Sequence, residues 1–303
     1  MTLRSLRGGA TLIELIMGLM VACTVVVLAL SHIARHQRAY DGIVAALDLR
    51  ARLRDAGDIV ATDLRGSSPI GDTILVALDT AIEFYSQVGT STLCTVTPLN
   101  RLILPPDTLP SGRVLSSWLS TPDSADFALV YADSSAAATR GWQRARIMSV
   151  TSVATASVCP VTAGLLSPGD AAASNRSYEV SLSSAPPFLA HRGAPVRIVR
   201  RVRYSIYKGG DGKWYLGYRR CAPACAAIQP VSGPYQSNSG PPLKFRYFDR
   251  TGASLTGHGP SIDVARVEIV SHATFMRPIR LPGLPTATAV DSSVVVVAFR
   301  NRL

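Results

Sequence analysis

The sequence predicts an α+β fold in which a long N-terminal, membrane-spanning helix precedes an antiparallel, β-rich globular head. Three observations lead to this fold class. An apolar run near the N-terminus is long enough to cross a bilayer, and a helical spacing of apolar residues continues beyond it to about residue 66. From residue 67 onward, short strand-like runs alternate with turns rich in Gly, Pro, Ser and Thr. We expect a transmembrane half of the helix over 10–30, an amphipathic half over 31–66 and a head over 67–303.

The apolar run contains a single formal charge, Glu14, between Ala10 and Leu30. Its length of about 21 residues, at about 1.5 Å per residue, gives roughly 30 Å, which is the thickness of the hydrocarbon core of a bilayer. Arg4 and Arg7 precede the run and favour a cytoplasmic N-terminus. We therefore expect a single pass through the inner (cytoplasmic) membrane and an extracytoplasmic head.

Two other kinds of segment share some of these properties. A secretory signal peptide also has a basic start, but its apolar core is usually about 7 to 15 residues long and leads to an Ala-x-Ala cleavage site, which is missing here. A plain membrane anchor has no use for Glu14, since a carboxylate near the middle of a bilayer costs about 2.5 to 3.5 kcal/mol. Glu14 therefore indicates a role beyond anchoring.

The run Arg7-Gly8-Gly9-Ala10-Thr11-Leu12-Ile13-Glu14-Leu15 resembles the class III signal sequence of type IV prepilins and type II secretion pseudopilins. The resemblance implies that residues 1–9 are a leader peptide. It further implies that a prepilin peptidase cuts after Gly9 and methylates the new N-terminus, Ala10, and that Glu14 acts in assembly. The family usually begins its mature chain with Phe or Met, and Ala10 departs from that pattern.

Electrostatic pairing explains why Glu14 is expected to assist assembly. After cleavage the amine of Ala10 is a cation one helical turn from Glu14, at the positive end of the helix dipole. In a bundle of such helices, the carboxylate can also meet the amine of a neighbour, and this pairing offsets the burial of both charges. We therefore expect other pilins or pseudopilins to be partners through the N-terminal helix.

The amphipathic half of the helix carries apolar residues three or four positions apart, interleaved with Arg and Asp, as far as Leu64. The helix is expected to end near Gly66, which can form a C-cap, before Pro69, which cannot continue it. From Ala10 onward the rod would measure about 80 Å. Its second half is expected to lie under the head, with Gly42 and Gly57 as flexible points.

The head contains a series of runs with the alternation and composition of strands, and two glycine-containing turns that predict hairpins, at 209–212 and 249–252. Loops are expected at 163–174 and 230–242. The order of elements over about 196–280 resembles the J-type pseudopilin of type II secretion and the PilW-type minor pilin. The predicted strands are TAIEFYSQV, DFALVYAD, RARIMSVTSV, SYEVSLSS, VRRVRYSIY, KWYLGYRR, PLKFRYFD, DVARVEIVSHATF and SSVVVVAFR.

Four of the five cysteines, Cys94, Cys159, Cys221 and Cys225, fall in the expected extracytoplasmic head, where disulfides can form. Four cysteines allow three connectivities. We favour Cys221 with Cys225 across the CAPAC loop and Cys94 with Cys159, and a zinc site is the alternative. Cys23 lies in the membrane helix and is expected to be an apolar residue only.

The sequence contains no catalytic, phosphate-binding or metalloprotease motif, so we expect neither an enzyme nor a bound cofactor or metal. The best-supported class is a structural minor subunit, a minor pilin or J-like pseudopilin of a type IV pilus or type II secretion filament, that acts in filament initiation or at the tip. An anchored extracytoplasmic enzyme is a weaker alternative.

A second alternative is a DNA-binding minor pilin of a competence pilus. The chain has 31 basic and 20 acidic residues, a formal charge of +11 that comes mostly from scattered arginines and suits either a solvated surface or a polyanion. DNA binding would require a set of head arginines to form one continuous patch. This set is Arg197, Arg200, Arg201, Arg203, Arg219 and Arg220.

Overall fold

The protein has two helices and fifteen strands within the residues that its computed structural model describes. The described residues are 11–67, 74–97, 100–132, 141–159, 161, 164–171, 175–184, 191–222, 224–237, 240–255, 263–274 and 290–299. The helices are α1 (Leu12–Gly66) and α2 (Thr155–Val158). The strands are β1 (Ile74–Ala77), β2 (Ala81–Thr92), β3 (Thr95–Thr97), β4 (Arg101–Leu104), β5 (Ser116–Trp118), β6 (Phe127–Ala132), β7 (Gly141–Ala154), β8 (Arg176–Leu182), β9 (Pro195–Lys208), β10 (Trp214–Arg220), β11 (Gln229–Tyr235), β12 (Leu243–Phe248), β13 (Ser254–Leu255), β14 (Arg266–Thr274) and β15 (Val290–Ala298).

Helix α1 is continuous over 55 residues, or about 80 Å at 1.5 Å per residue. It passes through Gly42 and Gly57 without a break. It ends at Gly66, where Ser67 turns to an extended conformation and its hydroxyl donates to the carbonyl of Leu64 at 2.6 Å. A serine outside the helix therefore supplies the hydrogen-bond donors for a carbonyl of the last turn. The sequence had suggested that a glycine would form this cap.

An eleven-stranded antiparallel sheet forms most of the head, in the order β1-β2-β9-β6-β7-β8-β4-β3. Strand β10 extends the edge of β9 beyond β6 and carries β11 on its other side, while β5 joins β2. A second sheet has the order β13-β12-β14-β15. The expected α+β fold with an N-terminal helix is thus confirmed.

The main hydrophobic core lies between the second half of α1 and the two sheets. Leu53, Val60 and Leu64 of the helix are almost fully buried in it, together with Phe84 of β2 and Tyr235 of β11. A second core fills the other end of the large sheet, around Leu102, Val130 and Ile198 among others. The head therefore holds the last turns of the helix as part of its own interior.

All nine runs predicted as strands are strands, and both predicted hairpins are present. Gly212 and Gly252 have positive φ values of 77° and 87° at the two turns, a conformation that other residues rarely adopt. The expected loop over 230–242 is partly wrong, because β11 begins at Gln229 and contains Pro230 and Pro234. Strand β11 pairs only with β10 among the described residues, and an edge strand tolerates proline because one side of it needs no donors.

Candidate functional site

Glu14 lies at the third helical position of α1, and its carboxylate closes a capping box with Thr11. The backbone N–H of Thr11 donates to Oε2 of Glu14 at 2.9 Å, and the N–H of Glu14 donates to Oγ1 of Thr11 at 3.4 Å. A carboxylate has about four acceptor positions, so these contacts leave it able to accept from a further donor. Gly9 and Ala10, where leader cleavage and N-methylation are expected, lie outside the described residues.

The first part of α1 exposes an apolar surface. Every residue from 11 to 33 is exposed, and large apolar side chains such as Leu12, Met17 and Leu28 keep more than 60% of their surface accessible. This helix is long and apolar enough to span a membrane. Cys23 is a free, exposed cysteine within it.

The second part of α1 is fastened to the head by specific polar contacts. The Tyr235 hydroxyl donates to the backbone carbonyl of Arg52 at 3.0 Å and lies 2.5 Å from the hydroxyl of Ser232. Arg50 forms an ion pair with Asp291 of β15 at 2.6 Å. These contacts join the middle of the helix to two separate strands of the head.

Close packing of the helix against β15 depends on Gly57. A Cβ atom at this position would lie 2.5 Å from Cγ2 of Val295, well inside van der Waals contact. Gly18, in the exposed part of the same helix, has nothing within 4 Å of an added Cβ. Gly57 is therefore required by packing rather than by helix flexibility.

One carboxyl group of the helix, that of Asp63, is partly buried against the large sheet. The Tyr204 hydroxyl of β9 donates to Oδ2 of Asp63 at 2.7 Å. Burial raises the pKa of Asp63 above its ordinary value of 3.8, although hydrogen bonds from Tyr204 and Ser86 oppose the rise. Burial, with the Asp63 charge second, also raises the pKa of Tyr204 far above its usual range. This pair lies in the helix–head interface.

The cysteines of the head occupy two separate places, and each favoured pair is at disulfide-bonding distance. Cys94 and Cys159 are bonded, with their Cα atoms 5.4 Å apart, in a small buried cluster. Cys221 and Cys225 are bonded across the turn that follows β10, with Cα atoms 3.8 Å apart. One carboxylate oxygen of Glu83 lies within 4.8 Å of the latter two sulfur atoms, so only a reduced pair could offer thiolates beside this carboxylate to a metal.

His32 and His36, four residues apart on the exposed part of α1, stack with their ring centroids 5.4 Å apart. The one group of three potential metal ligands among the described residues is Glu83 with Cys221 and Cys225. The histidines therefore have no third ligand within the part of the chain that the structure describes.

The arginines proposed for a single DNA patch lie on both faces of the sheet. Arg200 and Arg220 lie on the face that carries α1, and both contact Asp126, whose side chain is fully buried. Arg220 also pairs with Asp123, whose pKa is lowered because hydrogen bonds from Arg220 and the Ala125 N–H outweigh the effect of burial. The six arginines thus do not form one patch.

The other four arginines of that set, Arg197, Arg201, Arg203 and Arg219, lie on the opposite, outward face of β9 and β10. Glu83, only 2% exposed, pairs with Arg201 at 2.5 Å and lies 3.8 Å from Arg203. Buried Glu83 could not be identified from sequence, because it occupies an ordinary alternating position in a strand. Its partners become evident only from the pairing of β2 with β9.

The fold and these sites define an α+β protein with one candidate membrane-spanning helix and a disulfide-containing head. Comparison with known protein families, with curated proteins and with solved structures finds no match to this chain. The functional assignment therefore rests on the residues and contacts described above.

Proposed function

We propose that this protein is a membrane-inserted structural subunit of the type IV filament superfamily, a minor pilin or J-like pseudopilin. A prepilin peptidase cuts it between Gly9 and Ala10 and methylates Ala10. The processed subunit joins a pilus or type II secretion filament through its N-terminal helix and acts in filament initiation or tip assembly. The proposal assigns the chain no catalytic reaction and no cofactor.

The observation that carries this proposal is the start of α1. Glu14 closes a capping box at the first turn of a helix whose next turns are apolar and exposed. A carboxylate at this place is unfavourable in lipid unless a cation compensates it. An amine at residue 10 of the same chain or of a neighbouring helix would supply that cation within reach of Glu14.

The division of α1 supports a mechanical mode of action. Its first part has no contact partner among the described residues, whereas Tyr235, Asp291 and Val295 hold its second part to the head. A helix that leaves the bilayer to join a bundle would therefore carry the head with it as a rigid unit. Lateral contacts between heads would then complete the filament.

Coexpression with a prepilin peptidase, followed by intact mass measurement and N-terminal sequencing, tests the processing step. We expect a mature chain that begins at Ala10 and carries an added methyl group. Gly9→Val should block cleavage, while the matched variant Gly8→Val should be cut. A mature N-terminus elsewhere, or identical behaviour of Gly9→Val and the unchanged chain, would overturn the proposal.

Glu14→Gln tests the assembly step, because the amide keeps an oxygen for the Thr11 N–H but removes the charge. We expect the variant to insert and to be cleaved, with incorporation into filaments reduced at least about tenfold, the effect of losing roughly 1.4 kcal/mol. Crosslinking through an introduced cysteine, with Cys23→Ser as background, measures incorporation. Normal incorporation of Glu14→Gln would remove the assigned role of the carboxylate.

A further inference from the structure

The outward face of the large sheet combines arginines with aromatic rings, and we call it the basic–aromatic face. Strand pairing places its residues side by side: Arg144 lies opposite Leu129, Tyr85 opposite Arg201, and Arg203 opposite Arg219. Helix α1 covers the other face of β2 and β9. The face comprises Tyr85, Phe127, Tyr131, Trp142, Arg144, Arg146, Arg197, Arg201, Arg203 and Arg219.

The charge of this face is strongly unbalanced. Within β2, β6, β7, β9 and β10, all of whose residues are described, Glu83 is the single outward carboxylate. Glu83 is already shared by Arg201 and Arg203. Arg144, Arg146 and Arg219 have no carboxylate partner among the described residues, and the Nε atoms of Arg146 and Arg219 are buried without a hydrogen-bond partner there.

The rings and guanidinium groups are already arranged for stacking. The guanidinium carbon of Arg144 lies 4.9 Å from the centroid of the Tyr85 ring and 5.9 Å from that of Phe127. The guanidinium carbon of Arg197 lies 4.8 Å from the centroid of the Trp142 ring. The rings of Trp142 and Tyr131 meet edge to face, with their centroids 5.6 Å apart. Side chains that are held by such contacts lose little further entropy when a ligand binds.

The long side chains of this face cover the shorter side chains of Leu129 and Val199. Both point outward, yet they are only 4% and 1% exposed. Arg144 and Tyr85 meet across the two strands between them, so their long side chains lie over the shorter ones. The result is a surface of arginine and aromatic side chains, about 14 Å across four strands and about 20 Å along β9.

We infer that the basic–aromatic face binds single-stranded nucleic acid. Its phosphates would be neutralised by arginines such as Arg146 and Arg219, and its unpaired bases would stack on Trp142, Tyr131 and the guanidinium plane of Arg144. Arginine and aromatic residues are also enriched at protein–protein interfaces, so the excess of positive charge is what favours a polyanion at this surface. A duplex hides the faces of its bases and would leave the aromatic rings unused. The inference does not depend on the filament proposal.

Fluorescence anisotropy of the full-length chain in a non-ionic detergent tests this binding, with a labelled oligothymidylate of about 16 nucleotides, the upper site size of one binding module. We expect Arg146→Gln with Arg219→Gln to weaken binding about tenfold and to reduce the slope of log affinity against log salt by about 1.4, which corresponds to two phosphate contacts. The matched control is Lys244→Gln with Arg246→Gln, which removes two exposed charges from the outward face of β12. It should change the affinity less than about twofold, as expected for charges outside the site.

A second variant separates stacking from charge. Trp142→Leu should weaken binding of the oligothymidylate about tenfold, because stacking contributes about 1 to 3 kcal/mol per base, and should leave binding of heparin unchanged. Thermal unfolding confirms that each variant is folded, and Tyr131→Leu replaces Trp142→Leu if the latter unfolds.

Four results would overturn the inference. The first is no binding at about 100 mM salt, where specific contacts should survive. The second is an equal loss of affinity in both double variants, which would mean attraction by net charge alone. The third is equally tight binding of duplex DNA with no effect of Trp142→Leu. The fourth is tighter binding of polyglutamate than of the oligothymidylate, which would indicate an acidic protein partner.

Discussion

The two halves of α1 are one continuous helix in two different environments. From residue 11 to 33 every side chain is exposed, whereas Leu53, Ala56, Val60, Ala61 and Leu64 are at most 1% exposed. Intrinsic helix propensity does not explain this contrast, because both halves are helical throughout. The comparison teaches that the packed half belongs energetically to the head, whereas no described residue of the head packs against the apolar half.

The largest expected effect comes from truncating the side chain of a buried leucine in the packed half. Leu53→Ala should lower the free energy of unfolding of the head by about 3 kcal/mol, within the usual range of about 2 to 5, because it leaves a cavity between α1 and the sheets. Leu19→Ala, at a side chain that is 63% exposed, is the matched control and should change the value by less than about 0.5 kcal/mol. Denaturant unfolding in detergent, followed by near-ultraviolet circular dichroism, measures both. Equal effects would contradict the division of the helix.

Two of the four glycines of α1, one in each half, test the same comparison. Gly57→Ala should destabilise the head by about 1 to 2 kcal/mol, since the clash with Val295 exceeds the gain in helix propensity. Gly18→Ala has open space and should leave the unfolding of the head unchanged. The same unfolding assay applies. A stabilising Gly57→Ala would mean that Val295 moves aside easily and that the contact with β15 is loose.

Thr11→Ala tests whether the exposed half is structurally independent of the head. Loss of the N-cap should destabilise the first turn by about 1 kcal/mol and so speed hydrogen exchange of its amides. Thr24→Ala, which removes a hydroxyl that bonds to the carbonyl of Val21 within the same helix, is the matched control. Neither variant should shift the midpoint of head unfolding, and a shift with Thr11→Ala would show coupling along the rod.

The smallest expected effect is the pH dependence that arises from Asp63. Because burial raises its pKa, the native state binds this proton more tightly than the unfolded state does. The stabilisation is complete below the ordinary value of 3.8 and is lost as the pH rises through the raised pKa. Asp63→Asn cannot ionise, so it should raise the unfolding midpoint at pH 7 relative to the unchanged chain, and the difference should shrink toward pH 4.

Thermal unfolding at several pH values measures this difference. Asp58→Asn, at an exposed position of the same helix, is the control for removing a carboxylate from α1. A constant offset between Asp63→Asn and the unchanged chain at every pH would contradict the explanation by proton binding.

Sequence patterns predicted the long elements well and the short ones poorly. The helix and the nine long strands carry enough periodic residues to identify them, as in VRRVRYSIY of β9. Strands β3 and β5 have only three residues each, which is too few for a period. Strand β11 was missed because its two prolines are typical of loops, and only its position at an edge makes them acceptable.

The residues of the candidate sites could also be identified from the sequence only in part. The position of Glu14 and the Cys221–Cys225 pair followed from local spacing, and the Cys94–Cys159 pair followed from the even number of head cysteines. The roles of the arginines followed from neither. Arg200 and Arg201 are neighbours in sequence but point to opposite faces, and their partners Asp126 and Glu83 come from distant segments. Such pairings depend on which strands become neighbours, and a single sequence does not encode that in any short window.

The prolines of β11 also affect how this edge of the sheet can pair with another molecule. An exposed edge strand with a full row of N–H donors can recruit a strand from another molecule and begin aggregation. Pro230 and Pro234 each remove a donor from β11. Two copies of the head that meet at this edge therefore lack these two hydrogen-bond donors for joining their sheets, which disfavours aggregation through β11.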